Sequence, residues 1–255
     1  MILEICLDSV ESAIASERGG AQRIELCSDL TEGGITPSAG LIQLVRKQVG
    51  IEVFVMVRPR GGDFLYTEYE YDVMKYDVME AKKLGADGVV LGLLDGEGRV
   101  DVRRTRELVE LARPMEITFH RAFDMSANLS ESLAQVIETG ANRILTSGGM
   151  PTIVQGAHRV THLIAAAKGR IPIMVGGGLR QENIHEIALC TGATEFHCSL
   201  RTRTDSPVAF RNHALKLGAA VRDEFERFIV LEENVRALRN ALNKIENGTF
   251  ERSSK

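Results

Sequence analysis

The chain has 255 residues and a mass of 28.0 kDa, with a formal net charge of −4 and an isoelectric point near 5.9. This length allows one large α/β domain or two ordinary ones, and the mildly acidic balance argues against a nucleic-acid-binding surface, which would be basic. No apolar run approaches the roughly 18 residues of a membrane span, so we expect neither nucleic acid nor a membrane as a partner.

The N-terminus and the cysteines indicate a reducing compartment. The chain passes directly from Met1 into an apolar segment, without the basic region and cleavage site of a secretory signal. The four cysteines at positions 6, 27, 190 and 198 lack CxxC spacing. In such a chain they are expected to be reduced thiols rather than a disulfide framework. We therefore expect a cytoplasmic globular protein.

Short apolar segments alternate with longer amphipathic ones along the chain. We predict eight strands, at residues 2–7, 23–27, 52–58, 88–93, 116–121, 143–147, 172–176 and 194–199. Helical patterns lie near residues 9–19, 37–48, 68–84, 101–112, 128–139, 151–168, 180–190 and 232–246. Two helix starts have local support: Thr36 precedes Pro37 at a predicted first helical position, and Thr67 and Glu70 form a capping-box pattern.

A repeated glycine sets the predicted architecture. Gly20, Gly85, Gly140 and Gly192 each end a helical pattern and precede an even-numbered strand, as expected for the left-handed position that closes a helix. Each of the three intervals between them holds two strand–helix units, and four copies of this two-unit repeat, one for each glycine, give eight units in all. The pattern predicts a single (β/α)8 TIM-like barrel over residues 1–255. The alternative, an open doubly wound sheet, would more often have five or six strands.

Residues 200–230, between the last strand and the last helix, show weak periodicity. A segment of this length without regular structure is usually functional or mobile. It also carries several cations: Arg201, Arg203, Arg211, Lys216 and Arg222. We expect a long loop that acts as a lid over the barrel mouth.

Strand alternation turns one set of polar residues into the barrel. In the first, second and eighth strands the apolar residues face the helices, which leaves three glutamates inside with two cysteines and a histidine above them: Glu4, Glu25, Glu195, Cys6, Cys27 and His197. The same rule turns Arg58, Thr118 and His120 inward.

Buried carboxylates need partners, and the cations considered for them are Arg58, Arg60, His120 and His197. The set is either a structural charge network or an active site, since barrel active sites lie at the C-terminal ends of the strands.

Glycine-rich loops follow three strands and favour an anionic ligand. Such turns present free backbone N–H groups to phosphate or carboxylate, although glycine also serves plain turn geometry. Together with the arginines of the segment 58–63 they predict a substrate or anion site. Its candidate residues are Arg58, Arg60, Ser147, Gly148, Gly177, Gly178 and His197.

Two interpretations remain for the cysteines of the first two strands. Buried free cysteine is common as a small hydrophobic residue, so Cys6 and Cys27 can be inert. Two thiols on adjacent strands near the mouth can instead bind a soft monovalent metal such as Cu(I). We interpret Cys190 and Cys198 as packing residues.

Several longer motifs resemble the CutC copper-homeostasis family. They are Glu-Ile-Cys at 4–6, Arg-Ile-Glu-Leu-Cys at 23–27, Gly-Gly-Ile-Thr-Pro-Ser at 33–38, Arg-Pro-Arg-Gly-Gly-Asp-Phe at 58–64, Thr-Phe-His-Arg-Ala-Phe-Asp at 118–124 and Arg-Ile-Leu-Thr-Ser-Gly at 143–148. The resemblance implies a TIM-like barrel, a cytoplasmic location and oligomers, often dimers. It also implies a role in copper handling through Cu(I), with Cys6 and Cys27 as the suggested ligands.

Two hypotheses from different classes follow. In the first, the chain is a cytoplasmic copper-homeostasis protein that binds Cu(I) through its two inward cysteines. In the second, it is an enzyme that acts on a small anionic metabolite, phosphorylated or carboxylic. There His120 would be the general acid/base, Glu4 and Glu25 a proton-relay or polarising pair, and the arginines and glycine loops the anion site.

Overall fold

Eight parallel strands form a closed barrel in the computed structural model, which describes residues 1–217 and 223–248. Each strand pairs with the next along the chain, and the eighth pairs with the first. The strands are β1 Ile2–Leu7, β2 Arg23–Leu26, β3 Glu52–Met56, β4 Gly88–Leu91, β5 Glu116–Phe119, β6 Arg143–Thr146, β7 Ile173–Val175 and β8 Glu195–Cys198. The predicted TIM-like barrel is confirmed. Most of the predicted strands extend one or two residues beyond the observed C-terminal ends.

Eight α-helices are described. They are α1 Val10–Arg18, α2 Ala39–Gln48, α3 Glu68–Lys83, α4 Val102–Ala112, α5 Leu129–Thr139, α6 Ile153–Ala167, α7 Ile184–Thr191 and α8 Glu232–Glu246. A short 3-10 helix, Arg121–Met125, follows β5. None of the described helices has both the length and the apolar character needed to cross a membrane.

The glycine repeat has the predicted backbone conformation. Gly20, Gly85, Gly140 and Gly192 have φ angles of 92°, 82°, 84° and 68°. A side chain in this region would be strained, so glycine is the residue that closes each of these helices.

One predicted helix start is confirmed and the other is wrong. Thr67 and Glu70 form the capping box of α3. At α2 the N-cap is Ser38, whose hydroxyl accepts from the Leu41 N–H at 3.2 Å. Thr36 cannot serve there because its hydroxyl donates to Asp77 at 3.0 Å and accepts from the Arg58 N–H at 3.0 Å.

The strand side chains divide between two apolar clusters. The larger one lies between the strands and the helices and includes Leu3, Ile5 and Leu7 of β1, none of which is exposed. A small one lies on the other face of the strands, and its members are Cys6, Cys27, Phe54, Met56 and Val90. The predicted division of the strands into a helix-facing side and a barrel-facing side is therefore confirmed. The polar strand residues lie on the barrel-facing side, together with the small cluster.

Part of the segment 200–230 forms regular structure. β9 Arg201–Asp205 and β10 Glu226–Val230 pair as an antiparallel two-stranded sheet, and the Val230 N–H donates to Ser12 Oγ of α1 at 3.1 Å. The expectation of a loop is wrong for these strands. Their polar sequence lacks an apolar alternation because neither strand is mainly buried. Residues 218–222, with Arg222, lie outside the described residues, so the lid stays a prediction.

Candidate functional site

The lower part of the barrel interior holds a network of paired charges, although one buried guanidinium nitrogen of Arg23 and one of Arg143 have no hydrogen-bond partner among the described residues. The fully buried guanidinium of Arg23 pairs with Glu4 and, at 2.7 Å, with Glu195. Arg143 pairs with the same Glu195 at 3.0 Å. The ring of Phe54 stacks with both guanidinium groups, 4.9 and 5.0 Å from its centroid. Charges buried this way need such partners, so this layer is structural.

The partners expected for the buried glutamates are corrected by this network. Among the four cations considered, His197 contacts Glu4, whereas the strong pairs come from Arg23 and Arg143. Both are the first residues of their strands, β2 and β6. Residues 23 and 25 lie on the same face of a strand, so the alternation that turned Glu25 inward also predicts an inward Arg23. The sequence could therefore have identified Arg23 as a partner of the glutamates.

His197 connects this layer to the region above it. Its Nδ1 lies 2.7 Å from Glu4 Oε1, and its Nε2 lies 4.0 Å from Glu25 Oε2. Burial disfavours the imidazolium, but the charges of Glu25 and Glu4 outweigh it and hold the pKa of His197 well above its usual value. His197 is therefore an imidazolium at neutral pH.

The two glutamates beside His197 differ in their proton affinity. Burial raises the pKa of Glu4, but Arg23 and His197 more than compensate and hold it at about 2. Burial raises the pKa of Glu25, and the negative charge of Glu4 adds to that effect. Glu4 is thus a fixed anion that positions His197, whereas Glu25 is the more basic carboxylate of the pair.

Two thiols lie beside Glu25. Cys6 Sγ and Cys27 Sγ are 3.8 Å apart, and Cys27 Sγ is 3.6 Å from Glu25 Oε2. Cys6, Glu25 and Cys27 each offer a ligand atom, and these atoms lie within 4.8 Å of one another, as do those of Glu4, Glu25 and His197. Thiolate sulfur suits a soft metal, whereas carboxylates suit harder ions, so the first group, with two sulfurs, fits Cu(I) better than the second.

His120 reaches the same region from β5. Its Nδ1 accepts from the Ala122 N–H at 3.2 Å, and its Nε2 has no hydrogen-bond partner among the described residues. Burial and the positive charge of Arg58 lower the pKa of His120 to about 3. The ring is therefore neutral, with its proton on Nε2. Gly92 leaves room for it, since a Cβ there would lie 2.5 Å from Nδ1.

A cavity of about 480 Å³ opens above these groups at the barrel mouth. Of the predicted site residues, those that line it are Cys6, Glu25, Arg58, His120, Gly177, Gly178 and His197. Glu4 and Cys27 are fully buried behind the lining. Three further arginines also line the cavity: Arg121, Arg180 and Arg201. Ligand pockets are typically of this size.

The predicted anion residues Arg58 and Arg60 are largely engaged with the chain itself: Arg58 binds the loops that follow β2 and β3, and Arg60 binds the loop that follows β3 and the first turn of α3. Arg58 donates to the carbonyls of Glu32, Gly34 and Gly62 at 2.7, 3.0 and 2.9 Å. Its Nε has no partner among the described residues. Arg60 pairs with Glu70 at 2.6 Å and does not line the cavity.

Ser147 and Gly148 also lie outside the cavity lining, because their loop binds a carboxylate of this chain. Asp124 accepts from the Ser147 and Gly149 N–H groups, at 3.0 and 2.8 Å to its nearer oxygens, and the Gly148 N–H donates to Thr146 Oγ1 at 2.8 Å. The donors that were predicted to hold an external anion are thus occupied.

The sequence matches the CutC family over residues 1–202. A mouse (Mus musculus) relative named "Copper homeostasis protein cutC homolog" is 48% identical over 95% of this chain and 89% of its own length. A CutC family protein of Chromobacterium violaceum is 46% identical over 95% of this chain and 98% of its own.

Solved structures agree with these relatives. A crystal structure of CutC from Streptococcus agalactiae has a TM-score of 0.73 at 33% identity and covers 77% of this chain and 97% of that one. A thiamine phosphate pyrophosphorylase from Pyrococcus furiosus has a TM-score of 0.57 at 19% identity over 96% of each chain. That second likeness shows the barrel fold alone.

Proposed function

The chain belongs to the CutC family, and on that premise we propose that it serves copper homeostasis by binding Cu(I) between Cys6 and Cys27. The observation that carries the proposal is the 3.8 Å separation of the two sulfur atoms inside the barrel. A metal held by thiolates at about 2.3 Å can contact both sulfurs when they lie within about 4.6 Å of each other. The names of the relatives supply the copper context.

The protonation of the thiols sets a condition on binding. The hydrogen bond with Cys27 and burial raise the pKa of Cys6 well above its usual value. The contact with Cys6 lowers the pKa of Cys27, but burial and the charge of Glu25 outweigh it and bring that pKa to about 11. Both thiols are protonated at neutral pH, so Cu(I) must displace their protons and should bind more tightly as the pH rises.

The proposal also covers the setting in which the protein acts. It places the protein in the cytoplasm, where thiols stay reduced. It also includes a homo-oligomer, with the dimer as its simplest form.

An anaerobic Cu(I) titration against a chromophoric chelator tests the copper site. We expect about one ion per chain with sulfur ligation visible in X-ray absorption, because soft thiolates select Cu(I). Exchange of both Cys6 and Cys27 for Ser should abolish binding. His120→Ala should leave it nearly intact.

Cys190→Ser is the matched control, since this thiol lies in α7, away from the barrel interior. It should bind Cu(I) like the unaltered protein. Undiminished Cu(I) binding in the Cys6→Ser, Cys27→Ser protein would refute the copper site.

A second candidate function, an enzyme acting on a small anion, is favoured by a different observation. Three residues that line the cavity each keep a buried polar atom without a hydrogen-bond partner among the described residues: Glu25 Oε1, Arg58 Nε and His120 Nε2. Buried polar groups are normally paired, and a thiolate-bound ion would pair with at most one of them. A larger polar ligand could pair with all three.

A further inference from the structure

The loop after β7 offers backbone donors at the cavity mouth. The N–H groups of Gly177, Gly178 and Leu179 make no hydrogen bond to any residue in the described part of the chain, although all three residues line the cavity. Their flanking neighbours are occupied: the Gly176 N–H donates to Thr146 O at 3.1 Å, and the Arg180 N–H donates to Asn183 Oδ1 at 2.9 Å.

The conformation of this loop suits an anion. Gly177 and Gly178 have φ angles of 96° and 82°, and their carbonyls accept from the Ile153 N–H and Asn183 Nδ2 at 2.8 and 2.9 Å. Successive N–H groups whose carbonyls are held by the protein form a concave anion-binding backbone. Among the described residues, the loop therefore has three N–H donors without a partner, while the carbonyls of both glycines are already paired.

Two arginines beside this loop supply charge. Arg180 and Arg201 both line the cavity, and neither forms an ion pair within 4 Å with another described residue. Arg180 is exposed, and Arg201 is half-buried with its guanidinium 5.5 Å from the centroid of the Phe228 ring. Asp8 interacts electrostatically with Arg201 but lies beyond ion-pair distance. Four arginines in all line the cavity, Arg58, Arg121, Arg180 and Arg201, against two carboxylates, Glu25 and Glu32, so cations predominate at the mouth.

We infer that the loop 177–179, with Arg180 and Arg201, binds the phosphate of a small phosphate monoester. The inference rests on the second candidate function and names its substrate class. A phosphate presents three strong acceptor oxygens and close to two negative charges, which matches three N–H groups and two guanidinium groups better than a carboxylate with two oxygens does. The loops after strands seven and eight are also where barrels commonly bind phosphate.

The remainder of the ligand lies deeper in the cavity. There His120 donates through Nε2 and Glu25 accepts through Oε1, the two buried atoms that lack partners among the described residues. A hydroxyl or carbonyl oxygen can accept from His120, and a hydroxyl can donate to Glu25. The ligand class is therefore a small polyol or hydroxycarbonyl compound that carries one phosphate.

Thermal unfolding and calorimetry with glycerol 3-phosphate test this inference. At matched ionic strength, glycerol 3-phosphate should raise the melting temperature of the full chain and inorganic phosphate should raise it less, because a ligand of the native state stabilises it. Glycerol should have no effect. The Arg180→Ala, Arg201→Ala protein should bind at least about tenfold more weakly, since each lost charged hydrogen bond costs at least about that factor.

The double variant Arg159→Ala, Arg227→Ala is the matched control, because it removes the same charge at two exposed positions outside the cavity. It should bind glycerol 3-phosphate as the unaltered chain does. Equal affinity in the Arg180→Ala, Arg201→Ala protein would overturn the inference. Protection by malate but not by glycerol 3-phosphate would also overturn it while leaving the second candidate function standing, and protection by neither would remove both.

Discussion

The loops after β6 and β7 have similar glycine-rich sequences and opposite hydrogen bonding. In the β6 loop, Ser147–Gly149, the backbone donors are bound to Asp124 and Thr146. In the β7 loop, the donors of residues 177–179 have no partner in the described part of the chain. Both loops present backbone N–H groups that suit an anion. Whether that anion belongs to the chain or to a ligand depends on a residue elsewhere.

That residue is Asp124, at the end of the 3-10 helix that follows β5. Its carboxylate accepts from Arg121 Nε at 2.8 Å as well as from the β6 loop, and its side chain is 6% exposed. Asp124 therefore ties two neighbouring loops together. No carboxylate among the described residues accepts from the N–H groups of residues 177–179, and two arginines, Arg180 and Arg201, line the cavity beside this loop.

The largest effect is expected from removal of this internal anion. Asp124→Ala should lower the free energy of unfolding by about 3 kcal/mol, because it leaves the N–H groups of Ser147 and Gly149 and the hydroxyl of Thr146 without their acceptor. Urea denaturation followed by circular dichroism measures the loss.

Asp95→Ala is a suitable control. Asp95 also accepts from two backbone N–H groups and one arginine, Arg99, but it is 29% exposed. Its loss should cost about 1 kcal/mol, since water can replace it. Equal costs for the two variants would mean that the β6 loop does not depend on its internal anion.

The contrast between the loops also marks the limit of what the sequence could predict. Strand alternation placed Cys6, Glu25, His120 and His197 correctly on the inner face, because the side-chain period of a strand is local. The glycines at helix ends were equally predictable, because positive φ is a local requirement. These two local signals account for the barrel and for the polar strand residues that line the cavity, but not for the arginines and apolar residues that complete its lining.

Local signals could not predict which loop has its backbone N–H groups already bound to an acceptor of the chain. Ser147 and Gly178 were both predicted to bind an external anion, because both lie in glycine-rich loops after strands. The fold alone brings Asp124 within 3.0 Å of the Ser147 N–H. The roles of Glu4 and His120 also depended on tertiary contacts: Arg23 and His197 lower the pKa of Glu4, whereas burial and the nearby Arg58 lower the pKa of His120. Spacing alone could not assign a fixed anion to one and a neutral donor to the other.

A smaller effect, confined to acidic pH, should come from His120. Its pKa of about 3 in the folded protein lies below the ordinary histidine value of 6.5. Above pH 6.5 this difference in pKa does not affect the free energy of unfolding. Below pH 6.5 the unfolded chain binds a proton at His120 that the folded protein does not bind, so the free energy of unfolding falls. Stability should fall by about 1.4 kcal/mol per pH unit between roughly pH 6 and 4 from this group. His120→Gln should flatten that part of the pH curve measured by urea denaturation.

His158→Gln serves as the comparison, because this histidine is exposed on α6. Its curve should follow that of the unaltered protein throughout. Parallel curves for the His120→Gln and unaltered proteins would mean that His120 takes up a proton in the folded state. That result would contradict the assignment of His120 as a neutral hydrogen-bond donor in the cavity.

The smallest effect is chemical rescue of the β6 loop. In the Asp124→Ala protein the donors of Ser147 and Gly149 face a space from which one carboxylate has been removed, so that loop should come to resemble the β7 loop. Formate is small enough to replace the lost group, and at about three times its dissociation constant it should restore about 0.8 kcal/mol. A formate titration of the unfolding midpoint at constant ionic strength measures this. The unaltered chain should gain less, because its own Asp124 already occupies the loop, and an equal gain in both proteins would show that formate acts elsewhere.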